Sequence, residues 1–477
     1  MTLSPPPGRT FTPLLGALAS LCLLAGPASA QTRPDQVAFR ATYKELVETN
    51  TTASSGSCTL AAERMAARLR AAGFPEQNLT SFSLPEFPKN GGLVAVYPGR
   101  DAKARPILLL AHIDVVEARR ADWTRDPFTL IEEGGFFYGR GSADMKAQAA
   151  IWVDTLIRFQ TSGYKPRRTV KMALTCGEEG GSPFNGATWL VNNRRDLIDA
   201  EFALNEGAGG MLDDQGHRLA HAVEAGEKTS QNFRLEVTNP GGHSSRPVPD
   251  NAIYHLADAL ARIRSYEFPV QLNDVNRTYL SRMSTVLGGE TGKAMADLVT
   301  DPANLRADAI LSKDPSLHAI LRTTCVATTV EAGHAANALP QRAQANINCR
   351  IFPGVNPASV RETLEKTIND PQVTITQAPS RLAPGAGPPL TPRIMEPIER
   401  LTQKMWPGVP VVPSLQAWAT DGKALTAGGI PTYGVSALFF EPDLGRIHGL
   451  NERISVQSVY EGRDFLYDLV RIYAEQK

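Results

Sequence analysis

ILLLAHIDVV, residues 107–116, decides how this chain is read. Ile107 to Ala111 form an apolar run suited to a buried strand. His112 and Asp114 follow at i and i+2, the spacing that puts two side chains on one side of an extended segment. The carboxylate is then placed to hold the imidazole by its second nitrogen, which fixes its tautomer and raises its basicity as a ligand. Other fragments repeat the arrangement. In YGRGSADMKA, residues 138–147, a glycine-containing loop ends in Asp144 at the entrance of a helix expected over 146–159. A strand expected over 169–175 runs into Gly177, Glu178 and Glu179, with Gly180 and Gly181 ending the segment. Another, Phe202–Asn205, delivers Glu206 before Gly207. Late in the chain His448 stands in RIHGLNERI, residues 446–454, between a strand-like 435–440 and a C-terminal helix.

These groups lie just past the carboxyl ends of apolar strands, where open α/β sheets keep their sites. Carboxylates gathered so closely repel and lift one another's pKa, a cost that two divalent cations remove. Oxygen and imidazole donors without thiolates suit zinc, and also cobalt or manganese.

Taken in order, HIDVV at 112–116, GRGSADMK at 139–146, TCGEEGG at 175–181, NEG at 205–207, NPGGHSSRP at 239–247, ANALP at 336–340, TDG at 420–422 and HGLNE at 448–452 form a highly specific set. By them the chain resembles the two-zinc hydrolases that include glutamate carboxypeptidase, aminoacylase, succinyl-diaminopimelate desuccinylase and several dipeptidases. The resemblance implies an α/β zinc-peptidase-like catalytic domain, with a central mixed sheet flanked by helices, and an inserted α+β lid or dimerisation domain. It implies two zinc ions per subunit: His112 and Glu206 on one, Glu179 and His448 on the other, Asp144 bridging both. Asp114 then orients His112. Glu178 is the general base, taking a proton from the attacking water and returning it to the leaving amine.

On sequence alone Gly241 and Gly242 permit a tight turn at His243, and Ser244 and Ser245 could fix its imidazole, but a helix N-terminal cap is the favoured reading of the fragment. The resemblance brings His243 into the cleft as a stabiliser of the tetrahedral oxyanion. It also places Arg350 and Asn337 against the substrate, Arg350 as a two-pronged partner for a terminal carboxylate. The activity so implied is cleavage of a peptide or amide bond beside a free carboxylate, of carboxypeptidase or dipeptidase type. N-acyl-amino-acid amidohydrolase is the alternative. A noncatalytic binding protein on the same fold is disfavoured, because every ligand and the base are present.

Residues 1–30 carry one Arg, an apolar run broken by Gly and Pro, and Ala28-Ser29-Ala30, which reads as a cleavable signal peptide and a secreted or periplasmic product. The rest divides into a first catalytic segment, 31–227, a lid, 228–384, and a second catalytic segment, 385–477. The lid pattern is four strands and two helices, enlarged by a helical excursion between 265 and 318. LAPGAGPPLTP, 382–392, is the return hinge. Without the leader, 48 basic face 49 acidic residues, and no basic tract or second apolar span offers a nucleic-acid or membrane partner. The expected partner is a small peptide or N-acyl amino acid; monomer and homodimer both remain open. Of the four cysteines beyond the leader, Cys325 and Cys349 are the favoured disulfide, and Cys176 is expected buried and free.

Overall fold

A computed structural model describes residues 33–180, 182–379 and 385–477, so the expected leader and residues 382–384 of the hinge lie outside the described part. In the large sheet the strands run in the order Leu79–Leu84, Phe87–Tyr97, Val170–Thr175, Ile107–His112, Phe202–Asn205, Thr432–Gly434, Arg218–Glu227, Gly210–Leu212 and Phe439–Phe440. Strand Val411–Gln416 pairs with Arg218–Glu227 off this path. The four strands from Val170–Thr175 to Thr432–Gly434 are mutually parallel, whereas Phe87–Tyr97 is antiparallel to its neighbour, which makes the sheet mixed.

The central strands read as continuous apolar runs because helices cover both faces. Ile107, Leu109 and Ala111 pack with helices Cys58–Ala71, Lys146–Ser162 and Val456–Glu475. Leu108 and Leu110 point the other way, toward Ala187 and Leu190 of helix Gly186–Asn193 and Leu425 of helix Asp421–Ala427. All four parallel strands therefore release their carboxyl ends along one edge, and every predicted ligand except Asp144 and His448 is attached there.

The lid is a four-stranded antiparallel sheet, ordered Thr324–Ala332, Arg342–Ile351, Thr229–Thr238 and Thr374–Gln377. Phe233, Leu235 and Val237 alternate onto the face covered by helices Ala252–Ser265 and Pro357–Ile368, as a period of two requires. The helical excursion comprises Asp274–Leu287, Gly289–Thr300, Leu305–Leu311 and Pro315–Leu321. Its Leu280, Met283, Met295 and Leu298 pack on Ala220, Ala222 and Val412 of the large sheet. The enlargement thus covers the catalytic sheet and leaves the lid sheet at four strands.

Cys325 and Cys349 are register partners in adjacent lid strands and form a disulfide. Cys176, expected free, is corrected: it is bonded to Cys58, with Cα atoms 6.1 Å apart. Ser57 caps the helix that Cys58 opens, and this start lies against the end of strand Val170–Thr175. A 118-residue separation hides that approach from a linear reading. The strand expected over 435–440 is also shorter than its apolar composition suggests, since only Phe439–Phe440 pairs.

Candidate active site

His112 ends its strand fully buried, with Nε2 3.2 Å from Asp144 Oδ1 and 3.3 Å from Glu206 Oε1. His448 comes from the opposite side, its Nε2 3.2 Å from Asp144 Oδ2 and 2.8 Å from Glu179 Oε2. Asp144 thus presents one oxygen to each imidazole. Two donor sets result, His112–Asp144–Glu206 and Asp144–Glu179–His448, each with its ligand atoms within 4.8 Å of one another. All are oxygen or imidazole nitrogen, the donor chemistry that zinc and similar divalent ions accept.

Local backbone explains how the carboxylates arrive. Gly177 has φ +93°, and a Cβ there would stand 2.0 Å from the Phe184 carbonyl oxygen, so only glycine makes the turn that splays Glu178 from Glu179. Gly207, with φ +125°, lets the carboxylate of Glu224 close against the backbone just after Glu206; a Cβ would meet Glu224 Oε2 at 1.7 Å. Asp114 supports the centre differently from the sequence expectation. Its backbone carbonyl oxygen is 3.1 Å from His112 Nδ1, whereas its Oδ1 stands at 3.6 Å, and its Oδ2 accepts the Glu179 N–H at 3.1 Å. One residue therefore fixes two of the metal-ligand candidates.

Burial alone lowers the pKa of His112, but Glu206, Asp114 and Asp144 outweigh it and hold the imidazole well above its ordinary value. Hydrogen bonds to Asp144 and Glu179 push His448 up to about 10. Burial, reinforced by neighbouring carboxylates, lifts Glu206 to about 7. Glu178 is raised well above the usual carboxylate range, chiefly by burial. Carboxylates and imidazoles that shift one another in these directions fit a site able to take divalent cations.

The other predicted residues lie in the lid. His243 is exposed on the short ribbon Gly242–His243, paired with Ala338–Leu339. Its Nδ1 sits 2.8 Å from Ser245 Oγ, and Ser244 N donates to the Asn337 carbonyl at 3.1 Å, so His243 and Asn337 share one ribbon. Among the described residues no hydrogen bond or ion pair joins His243 to the ligand cluster. Arg350 is half-buried opposite Ser230 and Thr324 in the lid sheet, with burial lowering its pKa and no salt bridge among the described residues.

Sequence reasoning missed several supports. Asp421 accepts from Thr175 Oγ1 at 2.8 Å and Asn185 Nδ2 at 2.6 Å, and Glu227 accepts from Thr420 N and Oγ1, both at 2.8 Å. TDG pointed at the first pair; nothing in the sequence pointed at Glu224 or Glu227. Glu452 is the largest omission, although it closes the HGLNE fragment.

A mixed sheet with a two-histidine, multi-carboxylate cluster at its carboxyl edge and an inserted lid defines a metal-dependent hydrolase. The chain belongs to peptidase family M20/M25/M40, whose pattern matches residues 108–472. It is 28% identical over 395 residues to the probable carboxypeptidase S-like 2 of Dictyostelium discoideum, covering 80% of this chain and 74% of that one. It is 29% identical over 409 residues to the N-fatty-acyl-amino acid synthase/hydrolase PM20D1.1 of Danio rerio, covering 83% and 78%. The M20 family metallo-carboxypeptidase Sso-CP2 of Sulfolobus solfataricus shares the fold at a TM-score of 0.66 and 18% identity, over 91% of this chain and 99% of that one.

Proposed function

We propose that this protein is a two-metal amidohydrolase acting on N-acyl amino acids, releasing a carboxylic acid and an amino acid by addition of one water. The feature that favours an acyl substrate over a dipeptide is apolar and adjoins cluster residues along the chain. Leu450 stands two residues after His448, Leu444 opens the same loop, and Trp418 precedes the Thr420–Asp421 anchor; each is about half exposed, at 51%, 50% and 50%. Large apolar side chains left in water on the segments that carry a polar centre suit an acyl chain. The similarity to an N-fatty-acyl-amino acid synthase/hydrolase supports the same reading.

In this proposal His112 and Glu206 hold one cation, Glu179 and His448 the other, and Asp144 both. Two such ions, when bound, lower the pKa of a water and polarise the scissile carbonyl. Glu178 accepts the proton of that water at its carboxylate and hands it to the leaving nitrogen. Asp114 holds His112 and the Glu179 backbone in place. His243 donates to the developing oxyanion with Asn337 beside it on the same ribbon, and Arg350, toward the other end of the lid strand, receives the free carboxylate of the substrate.

The test is a panel of N-acyl amino acids of increasing chain length set beside dipeptides of the same amino acids, together with metal analysis. Each methylene buried on binding contributes about 0.8 kcal/mol, roughly fourfold in kcat/KM. A rise of that kind with chain length is expected. A flat response, with dipeptides turned over faster, returns the carboxypeptidase or dipeptidase reading.

A further inference from the structure

Glu452 is buried with Arg140 in an ion pair whose side chains are 1% and 3% exposed. Its Oε2 accepts from Arg140 Nη1 at 2.7 Å and Gly141 N at 3.0 Å, and its Oε1 accepts from Ala143 N at 2.8 Å and Asp144 N at 3.1 Å. Four donors, two per oxygen, fill the carboxylate's acceptor sites. Its backbone carbonyl accepts a further bond from Gly139 N at 3.1 Å. The turn from Gly139 to Asp144 is thus wrapped around one side chain.

That side chain belongs to the loop of His448. Arg140 Nη2 donates to the Gly449 carbonyl at 2.9 Å, next to the histidine, while Asn451 Oδ1 accepts from Thr124 Oγ1 at 2.7 Å. Leu444, Arg446, His448 and Asn451 all have positive φ, between 52° and 61°. Non-glycine residues keep such angles only where surrounding contacts over-determine them. Next to His448 and Asn451 the Glu452–Arg140 pair supplies such contacts, at Gly449 and at Glu452, from the one turn that also delivers Asp144.

We infer that Glu452, with Arg140, is the positioning residue that sets Asp144 and His448 at a common distance, and so fixes the spacing of the two metal positions. The inference rests on the reading of Asp144 and His448 as ligands. Glu452→Gln tests it, because an amide keeps one acceptor oxygen and turns its NH2 toward two donors that previously shared an anion. Partners behind metal ligands are commonly worth about 10–100-fold in metal affinity, and a loss of that size is expected.

The measurement is zinc titration of the metal-free protein against a chromophoric chelator, with circular dichroism to verify the fold. Cobalt loading then reads the ligand geometry from the visible spectrum. If Glu452→Gln does not fold, Arg140→Lys replaces it, keeping the charge while giving up the second arm to Gly449. In that variant the second binding step is expected to weaken about tenfold, within the range known for such partners, and the second-equivalent cobalt spectrum to change. A folded variant, either one, with parental affinity for both ions and an unaltered cobalt spectrum overturns the positioning role alone. A parent protein that binds fewer than two ions overturns the metal centre and this inference with it. Substrate preference enters none of these readings, so failure of the acyl panel leaves them standing.

Discussion

Glu178 and Glu179 are adjacent in the chain but differently surrounded, as the proposed division between base and ligand requires. Glu179 Oε2 is 2.8 Å from His448 Nε2, which commits it to the cluster. Glu178 has no hydrogen-bond partner among the described residues, and burial holds its pKa well above the usual range, so it is left free of the contacts that tie Glu179 to the cluster. Glu178→Gln is expected to retain both metals and lose turnover by about 10²–10⁴, the usual worth of general-base assistance. Metal analysis beside single-substrate kinetics decides it, since near-normal turnover with two ions bound removes Glu178 from the mechanism.

His221 makes a second prediction, independent of the metals. It is fully buried among Trp406, Phe439 and Phe465, with Nδ1 2.9 Å from Thr402 Oγ1, and burial lowers its pKa from 6.5 to about 3. A depressed folded-state pKa means that the unfolded chain binds the proton first. The stability linked to His221 is therefore complete above about pH 6.5 and is lost as pH falls toward about 3. Compared with His221→Gln, the parent is expected to lose an extra ~1.4 kcal/mol per pH unit inside that window. Urea midpoints at several pH values read the difference; parallel slopes in the two proteins contradict it.

At the scale of elements, the catalytic turn at Gly177 is fastened at both ends. Cys176 ties its start to helix Cys58–Ala71 through the disulfide, and Glu179 N donates to Asp114 Oδ2 near its end. The loop closed by the Cys58–Cys176 bond spans 118 residues, which restricts the unfolded chain strongly. Replacing both cysteines with alanine is expected to cost about 2–4 kcal/mol of stability, within the range seen for native disulfides. Thermal unfolding under non-reducing conditions measures it. A double variant as stable as the parent would show that packing of the helix start alone holds the turn.

For the whole molecule, the lid poses the remaining question, because His243 is exposed and, among the described residues, its side chain bonds only within its own ribbon. The helical excursion packs on the large sheet, and the lid's edge strand Thr324–Ala332 keeps Val326 and Val330 in solvent. If His243 serves the site of a second copy, mixing inactive His243→Ala with inactive Glu178→Gln restores activity. Random exchange in a two-fold dimer makes half the molecules mixed, with one competent site of two, so recovery approaches about a quarter of the parental rate. No recovery under conditions where labelled subunits exchange excludes a shared site. Parental turnover in His243→Ala alone excludes the oxyanion role.

The strands, the acidic and imidazole side chains gathered at their carboxyl ends and the separation of a large sheet from a lid sheet were legible because hydrophobic period and glycine placement are local properties. Ile107 to Ala111 had to be buried, and His112 and Asp114 had to follow on one side. The conformational demand at Gly177 was likewise written in the turn itself. The pairing of Cys58 with Cys176, the docking of the helices between Asp274 and Leu321, and the reach of Glu452 into the Asp144 turn were not legible. Each joins segments tens to hundreds of residues apart, and no periodic pattern encodes where a side chain finds its partner across such distances. Local chemistry named the atoms that can meet a metal; only tertiary packing decided what holds those atoms at the right spacing.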